Sequence, residues 1–241
     1  MKREIRRLRL KVSLKGSEPL IWRRIEINSN IILDNLQFAL SMVMPWNDTE
    51  PYKFIDKNNK CYGPNSFISK KPVNQFDYRK DLYYRVFVGD VLFEKDDKID
   101  YIYDFEDKWH HEIVVEEVFP HSIFLPRVQY IDGCNHCPPD SCGGLKGYYK
   151  MLKIVNDPQH IEYQRMMTWI HTRESYKDIG RANAFKMENR EYYPDYEDKL
   201  KRKCIKFEEP FDPQSTHIDK DRVNHILFEV RPSIFTVVKK K

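Results

Sequence analysis

Along residues 7–14 the side chains alternate without a break, with Leu8, Leu10, Val12 and Leu14 on one side and Arg7, Arg9, Lys11 and Ser13 on the other. A period of two sends successive side chains to opposite faces of a pleated chain, so the segment predicts a half-buried strand with a basic outer face. Gly16, Ser17 and Pro19 supply a turn, after which Ile21, Arg23, Ile25 and Ile27 alternate with Trp22, Arg24 and Glu26. Two such runs joined by a short turn predict an antiparallel hairpin. A chain that begins this way has one sheet face to bury, and its later segments must supply the cover. The neighbours Arg23 and Arg24 read as a solvated strand face, with anion binding as the alternative.

The next segment changes period. Leu33, Leu36, Leu40, Val43 and Met44 recur at helical spacing, with Asp34 in the first turn and Pro45 at the end. This predicts an amphipathic helix laid on the sheet. A short run from Tyr52 to Asp56 precedes a turn at 56–60, and the Pro, Asn, Ser and Lys content of Cys61 to Leu82 reads as a surface loop. Apolar stretches at Val86 to Val88 and Val91 to Phe93 lead through the charged residues Glu94 to Lys98.

The densest chemistry lies between Tyr101 and Tyr148. The segment reads as a strand entering a tight turn at Asp104 to Asp107, a return strand from Trp109 to Val118, and then a Pro/Gly/Cys loop from Gly133 to Gly144. Beyond it Tyr148, Met151, Leu152 and Val155 form a helical stripe. Asp157 as N-cap and Pro158 at the first position predict a second helix running to about Ile170, with Tyr163, Met166, Met167 and Ile170 facing inward. From Thr172 to Glu209 the chain is charged and weakly periodic, Asp219 to Phe228 resembles a last short helix, and the sequence ends in Lys239, Lys240 and Lys241. The predicted class is α+β, one mixed or antiparallel sheet with amphipathic helices packed on one face. Residues 1–170 form the core of this reading, 171–210 an insertion, and 211–241 a helix and basic tail belonging to the same domain.

Composition narrows the setting. With 241 residues, 41% hydrophobic and 14% aromatic, the chain can bury a core without disulfide support. A net charge of +4 permits contact with nucleic acid without requiring it. No apolar run approaches the roughly 18 to 20 residues that span a bilayer, and the start lacks a signal-peptide core, so the expected location is the cytoplasm with no membrane contact. Five cysteines in that compartment read as thiols or metal ligands rather than disulfides.

Two constellations bear on function. Cys134-x-x-Cys137 lets one loop offer two thiolates to a zinc ion, with Cys142 as a third ligand and His111 as a fourth. His111 shares strand parity with Trp109, Ile113 and Val115 and should point inward, whereas His110 should point outward. The competing reading is a Pro/Gly-stiffened loop with partly buried thiols. Asp104, Asp107 and His111 could form a carboxylate and imidazole cluster for acid-base chemistry or a hard cation. Its structural counterpart has Asp104 and Asp107 bonding the backbone of their own turn while a carboxylate orients His111. No phosphate loop, serine nucleophile elbow or zinc-protease helix is present in the sequence. The reading adopted is a non-enzymatic binding or adaptor module. Its basic strand (Arg6, Arg7, Arg9 and Lys11, with Arg23 or Arg24) suits nucleic acid, and a protein partner is equally compatible. The alternative is a metal-dependent or acid-base enzyme using Asp104, Asp107, His111 and the cysteine loop. In either case the turn, His111 and the loop from Cys134 to Gly144 are expected to meet in a polar concavity.

Several of these motifs occur together in a known family. Trp22-Arg23-Arg24, the run Tyr103-Asp104-Phe105-Glu106-Asp107-Lys108-Trp109-His110-His111-Glu112-Ile113, Cys137-Pro138-Pro139-Asp140-Ser141-Cys142-Gly143-Gly144, Gly147-Tyr148, Asp157-Pro158 and Trp169 resemble the plasmid pRiA4b ORF-3-like family. That family includes passenger proteins of some bacterial insertion sequences. The resemblance implies a compact α+β domain of bacterial and archaeal origin with no established activity, and it marks Arg23, Arg24, Trp109, Asp140 and Tyr148 as binding candidates. The chain departs from the pattern at Glu106, where relatives have glycine, at Val128 in place of a cysteine, at Asp140-Ser141 in place of Glu-Asp, and at Glu50 to Lys53, where histidines are usual.

Overall fold

The alternating segments become strands with the predicted parity. In the computed structural model, which describes residues 4–44, 46, 50–64, 86–122, 125 and 127–170, β1 (Arg6–Leu14) pairs antiparallel with β2 (Trp22–Asn28). Leu8, Leu10, Val12 and Leu14 are all 1% exposed or less. Three further strands follow as β3 (Tyr52–Asp56), β4 (Cys61–Tyr62) and β5 (Lys98–Tyr103). The return strand β6 (Trp109–Pro120) and the later β7 (Val128–Cys134) complete one sheet of seven strands in the order β4-β3-β5-β6-β1-β2-β7. Every pairing is antiparallel. The hairpin and the strands near Tyr101 to Val118 therefore share one sheet, and the class is α+β.

The helices are α1 (Leu33–Val43), a four-residue turn α2 (Val88–Val91) and α3 (Gly144–Val155), with further helix at residues 163–170. Helix α1 begins at the predicted residue and buries Leu33, Leu36, Leu40 and Val43. The helix expected from Pro158 begins later, at residue 163. Asp157 does accept from the Gln159 amide at 3.0 Å, but residues 158–162 form a turn ahead of the helix. The described residues fall into two compact units, divided between Cys137 and Pro138. The sheet and α1 lie in the first, and α3 with the stretch 163–170 in the second. The surface loop expected from Cys61 to Leu82 is corrected at its start, where Cys61–Tyr62 pair with β3 as β4; residues 65–82, and the expected insertion and C-terminal helix, lie outside the described residues. Among the described residues no helix is long and apolar enough to cross a membrane.

The outer face of the sheet is a lattice of opposite charges. Arg7 is 1% exposed, and its Nε donates to Glu26 at 2.8 Å while its other nitrogens reach Asn28 and Gln129. Arg9 lies between Glu26 at 2.8 Å and Glu117 at 2.6 Å. Arg24 meets Glu116 at 2.5 Å and Asp132 at 3.7 Å. A register shift between Arg9 and Leu10, opposite β6, adds a residue to that strand and brings Glu116 toward Arg24. Burial pushes the Glu26 carboxyl up, but hydrogen bonds and charge from Arg7 and Arg9 outweigh it and hold the group below its ordinary 4.5. A carboxylate depressed by folding stabilises the fold above its ordinary value and loses that contribution as pH falls through the folded value. Glu26→Ala removes the buried Arg7 from its carboxylate and is expected to destabilise the fold by about 3 kcal/mol at pH 7. The deficit should shrink as pH falls below 4.5 and through the lower folded value, where the parent also loses the charge; denaturant melts of both chains from pH 7 downward check it.

Candidate functional site

The turn between β5 and β6 is built by Asp104. Its backbone is left-handed (φ 58°), as is that of Lys108 (φ 56°). Asp and Lys tolerate this region at modest cost, Asp more readily because its short side chain can bond locally. The Asp104 carboxylate accepts from the amides of Glu106 at 2.9 Å and Asp107 at 3.2 Å. Glu106 does not adopt a positive φ, so the turn in this chain needs no glycine at that position. Asp104 is 5% exposed and occupied by its own turn.

His111 points inward and His110 outward, as strand parity requires. His110 Nε2 lies 3.1 Å from Asp100 on the solvent side. His111 has no exposed surface and sits between the rings of Trp46, at 5.1 Å, and Tyr101, at 5.5 Å. Trp46 in turn stacks on Tyr103 at 4.8 Å and on Trp109 at 5.9 Å. This aromatic box is the centre of the core. Among the described residues neither imidazole nitrogen of His111 has a hydrogen-bond partner and no carboxylate orients the ring, contrary to the sequence expectation. Burial is the main cause that lowers its pKa, to about 3; nearby backbone groups of Tyr101 and Trp109 resist the shift without reaching bonding geometry, and the charges of His110 and Arg23 add to it.

The unfolded histidine takes up a proton below 6.5, whereas the folded one stays neutral to about 3. Its depressed pKa therefore costs stability progressively as pH falls across that window, on the order of 5 kcal/mol in total. His111→Leu keeps the volume and removes the unpartnered nitrogens. It is expected to leave stability at pH 7 unchanged or higher and to flatten the acid loss between pH 6.5 and 3, as read from thermal melts across pH. An unchanged slope would show that another group carries the acid response.

Arg23 departs most from the sequence reading. It does not belong to a solvated face: it is 1% exposed on the core side of β2, in parity with Ile25 and Ile27. Nε donates to the Val43 carbonyl at 3.0 Å and Nη1 to the carbonyls of Trp22 at 2.7 Å and Cys134 at 3.1 Å. Nη2 donates to Cys137 Sγ at 2.8 Å. Val43 is the last residue of α1, whose final turn contains no basic side chain. Arg23 supplies from the sheet the cation that a helix C-terminus favours. Gly133 pairs with Arg23 across β2 and β7. A Cβ there would lie 2.6 Å from the Tyr130 hydroxyl and 2.8 Å from Arg23 Cδ, so only glycine leaves the guanidinium its path. Gly133→Ala is expected to cost about 2 kcal/mol and to be visible as a lower melting temperature.

Cys137 is 6% exposed, and its sulfur also lies 3.2 Å from Met44 Sδ. Cys134 ends β7, and Asn135 turns the chain at once with φ 65° while its side chain donates to the Leu20 carbonyl. Burial raises the Tyr130 phenol to about 12; Arg23 opposes the shift, while Asp132, Cys137 and Cys134 add to it. Among the described residues no three His, Cys, Asp or Glu side chains are grouped so as to hold a metal ion. In the second unit, Cys142 Sγ lies 3.8 Å from the Gly144 carbonyl, and Asp140 and Tyr148 are buried. Gly147 is required there, since a Cβ would fall 1.8 Å from the Cys142 carbonyl oxygen.

Of the candidate residues on the first unit, His111, Arg23 and Cys137 belong to the buried side, with the charge of Arg23 felt at His111. Among the described residues of this unit these three are packed in the core. Trp109 is 1% exposed, leaving Arg24 as the binding candidate that reaches the surface. Sequence reading missed Trp46 and β7. Trp46 follows a helix end with no periodic partner, and the run Val128 to Cys134 is broken by Asp132 and Gly133.

A family model described as plasmid pRiA4b ORF-3-like protein matches residues 6–191. The uncharacterized protein y4hQ of Sinorhizobium fredii is 29% identical over 163 residues, which is 67% of this chain and 79% of the relative. The crystal structure of a protein of unknown function, MM3350, from Methanosarcina mazei Go1 matches with a TM-score of 0.57 at 25% identity, covering 70% of this chain and 91% of that one.

Proposed function

This chain belongs to the plasmid pRiA4b ORF-3-like family, and on that premise we propose that it is a non-enzymatic binding module that engages a protein partner through the outer face of its sheet. The supporting observation is the pairing of that face. Arg9 and Arg24 each hold carboxylates, and aromatic rings lie beneath the cations. Trp22 sits under Arg24 at 4.8 Å and Lys11 at 5.3 Å, Phe119 under Arg9 at 4.8 Å, and the 47% exposed Phe93 under Arg6 at 4.4 Å. An open depression of about 540 Å³ lies among Arg9, Arg24, Val114, Glu116, Glu117 and Ile131. Arginine and aromatic groups held in place by neighbours are what protein interfaces concentrate. A phosphate-binding face needs cations whose charge is not already offset by carboxylates. The enzyme alternative is disfavoured because the Asp104 carboxylate caps its own turn and His111 is enclosed and neutral.

Fluorescence anisotropy with generic duplex DNA and single-stranded RNA is expected to show no saturable binding at about 50 to 200 mM salt. A photo-crosslinker placed at Trp22 in cells is expected to give discrete protein adducts that Arg24→Glu abolishes. Tight nucleic-acid binding with a log–log salt slope of about −3 or steeper would overturn the choice of partner.

A further inference from the structure

The Arg23 cluster contains chemistry that the binding face does not use. Cys134 and Cys137 are separated by a two-residue turn that begins with the left-handed Asn135. One guanidinium spans both: Nη1 holds the Cys134 carbonyl at 3.1 Å and Nη2 the Cys137 sulfur at 2.8 Å. The two cysteines differ in access, Cys134 being half-buried and Cys137 buried. A thiol against a buried cation is favoured as thiolate, the nucleophilic form. The other partners of Arg23 are neutral carbonyls, so the sulfur is the one group among these hydrogen-bond partners that can carry a formal negative charge.

We propose that Cys134 and Cys137 form a reversible dithiol–disulfide pair that reacts with small external disulfides such as oxidised glutathione, with Cys134 as the entering thiol and Cys137 as the buried sulfur that closes the bond. Deprotonated Cys134 attacks one sulfur of the external disulfide, its S–S bond breaks, and one thiolate leaves. Cys137 Sγ then attacks Cys134 Sγ of the mixed disulfide, and the second thiolate leaves. The protons given up by the two cysteines end on the two departing thiolates. The cysteine pair loses two electrons and the external disulfide gains them. Closure turns the Cys137 sulfur into a weaker acceptor and moves it from its present position, so Arg23 Nη2 loses the sulfur it now donates to at 2.8 Å. Folding therefore favours the reduced form, and the native pair is more readily reduced than the same two cysteines in an unfolded chain.

The test equilibrates the full chain in buffers of varied reduced to oxidised glutathione, native and in denaturant, followed by acid quenching, alkylation and peptide mapping by mass spectrometry. The expected product is a Cys134–Cys137 bridge, lighter by two hydrogens, while Cys61 and Cys142 stay outside it. The native chain should need about tenfold more oxidised glutathione at the midpoint than the denatured chain. Cys137→Ser should stop at a glutathione adduct on Cys134, and Cys134→Ser should leave Cys137 unmodified in the folded chain. Absence of the bridge at every ratio, or adducts on Cys134 that never resolve in the parent chain, would overturn the pair. Equal midpoints with and without denaturant would overturn the role of Arg23.

Discussion

A guanidinium with 1% exposure joins four parts of the first unit: β2 through the Trp22 carbonyl, the end of α1 through Val43, the end of β7 through Cys134, and the following turn through Cys137. A buried cation costs several kcal/mol unless its donors are met and its charge is offset. Here both conditions are met without a carboxylate among these acceptors. Carbonyl dipoles, the negative end of α1 and a polarisable sulfur surround the fork. Lysine could not replace it, because a single ammonium lacks donors in two directions at fixed spacing. The bare Gly133, the left-handed Asn135 and the close of α1 all make sense as accommodations to this one side chain.

The aromatic box solves a different problem. Trp46, Tyr101, Tyr103, Trp109 and His111 are each 1% exposed or less, and together they fill the space between the helix end and the middle of the sheet. Their stacking is worth something beyond buried area. The box also contains the unmet nitrogens of His111, and its low dielectric keeps the ring neutral at ordinary pH. Arg23 reinforces this, since a second positive charge near His111 would be repelled. The two buried polar side chains are thus compatible only while one of them stays uncharged.

The sheet was legible in the sequence because its signal is local: alternation at 7–14 and 21–27, and parity that sends His111 in and His110 out. Parity also put Arg23 on the core side with Ile25, but residue type suggested solvent, and the acceptors that make its burial affordable come from residues 20 and 111 or more positions away. No window of sequence contains them. The same limit hid the pairing of the outer face. Arg9 and Arg24 read as a basic strand because Glu116 and Glu117 arrive from β6, 92 and 108 residues away, and only the fold brings them together. At Asp104 to His111 the sequence shows residue types, and only the fold shows that the Asp104 carboxylate caps backbone amides and that His111 packs between rings.

Both faces of the sheet therefore hold their cations in place, one against carbonyls and sulfur and the other against carboxylates. This changes how a partner can be recognised. A free basic strip acts over a Debye length and attracts any polyanion, whereas paired charges cancel beyond a few ångströms. What survives at contact distance is the order of the charges and the aromatic surfaces of Trp22, Phe93 and Phe119 that support them. Recognition on such a face depends on fit and on matching an alternating pattern, and a protein surface can present that pattern while a uniform phosphate backbone cannot. On the proposed reading, the charge lattice that links β1, β2 and β6 would also set the selectivity of the face.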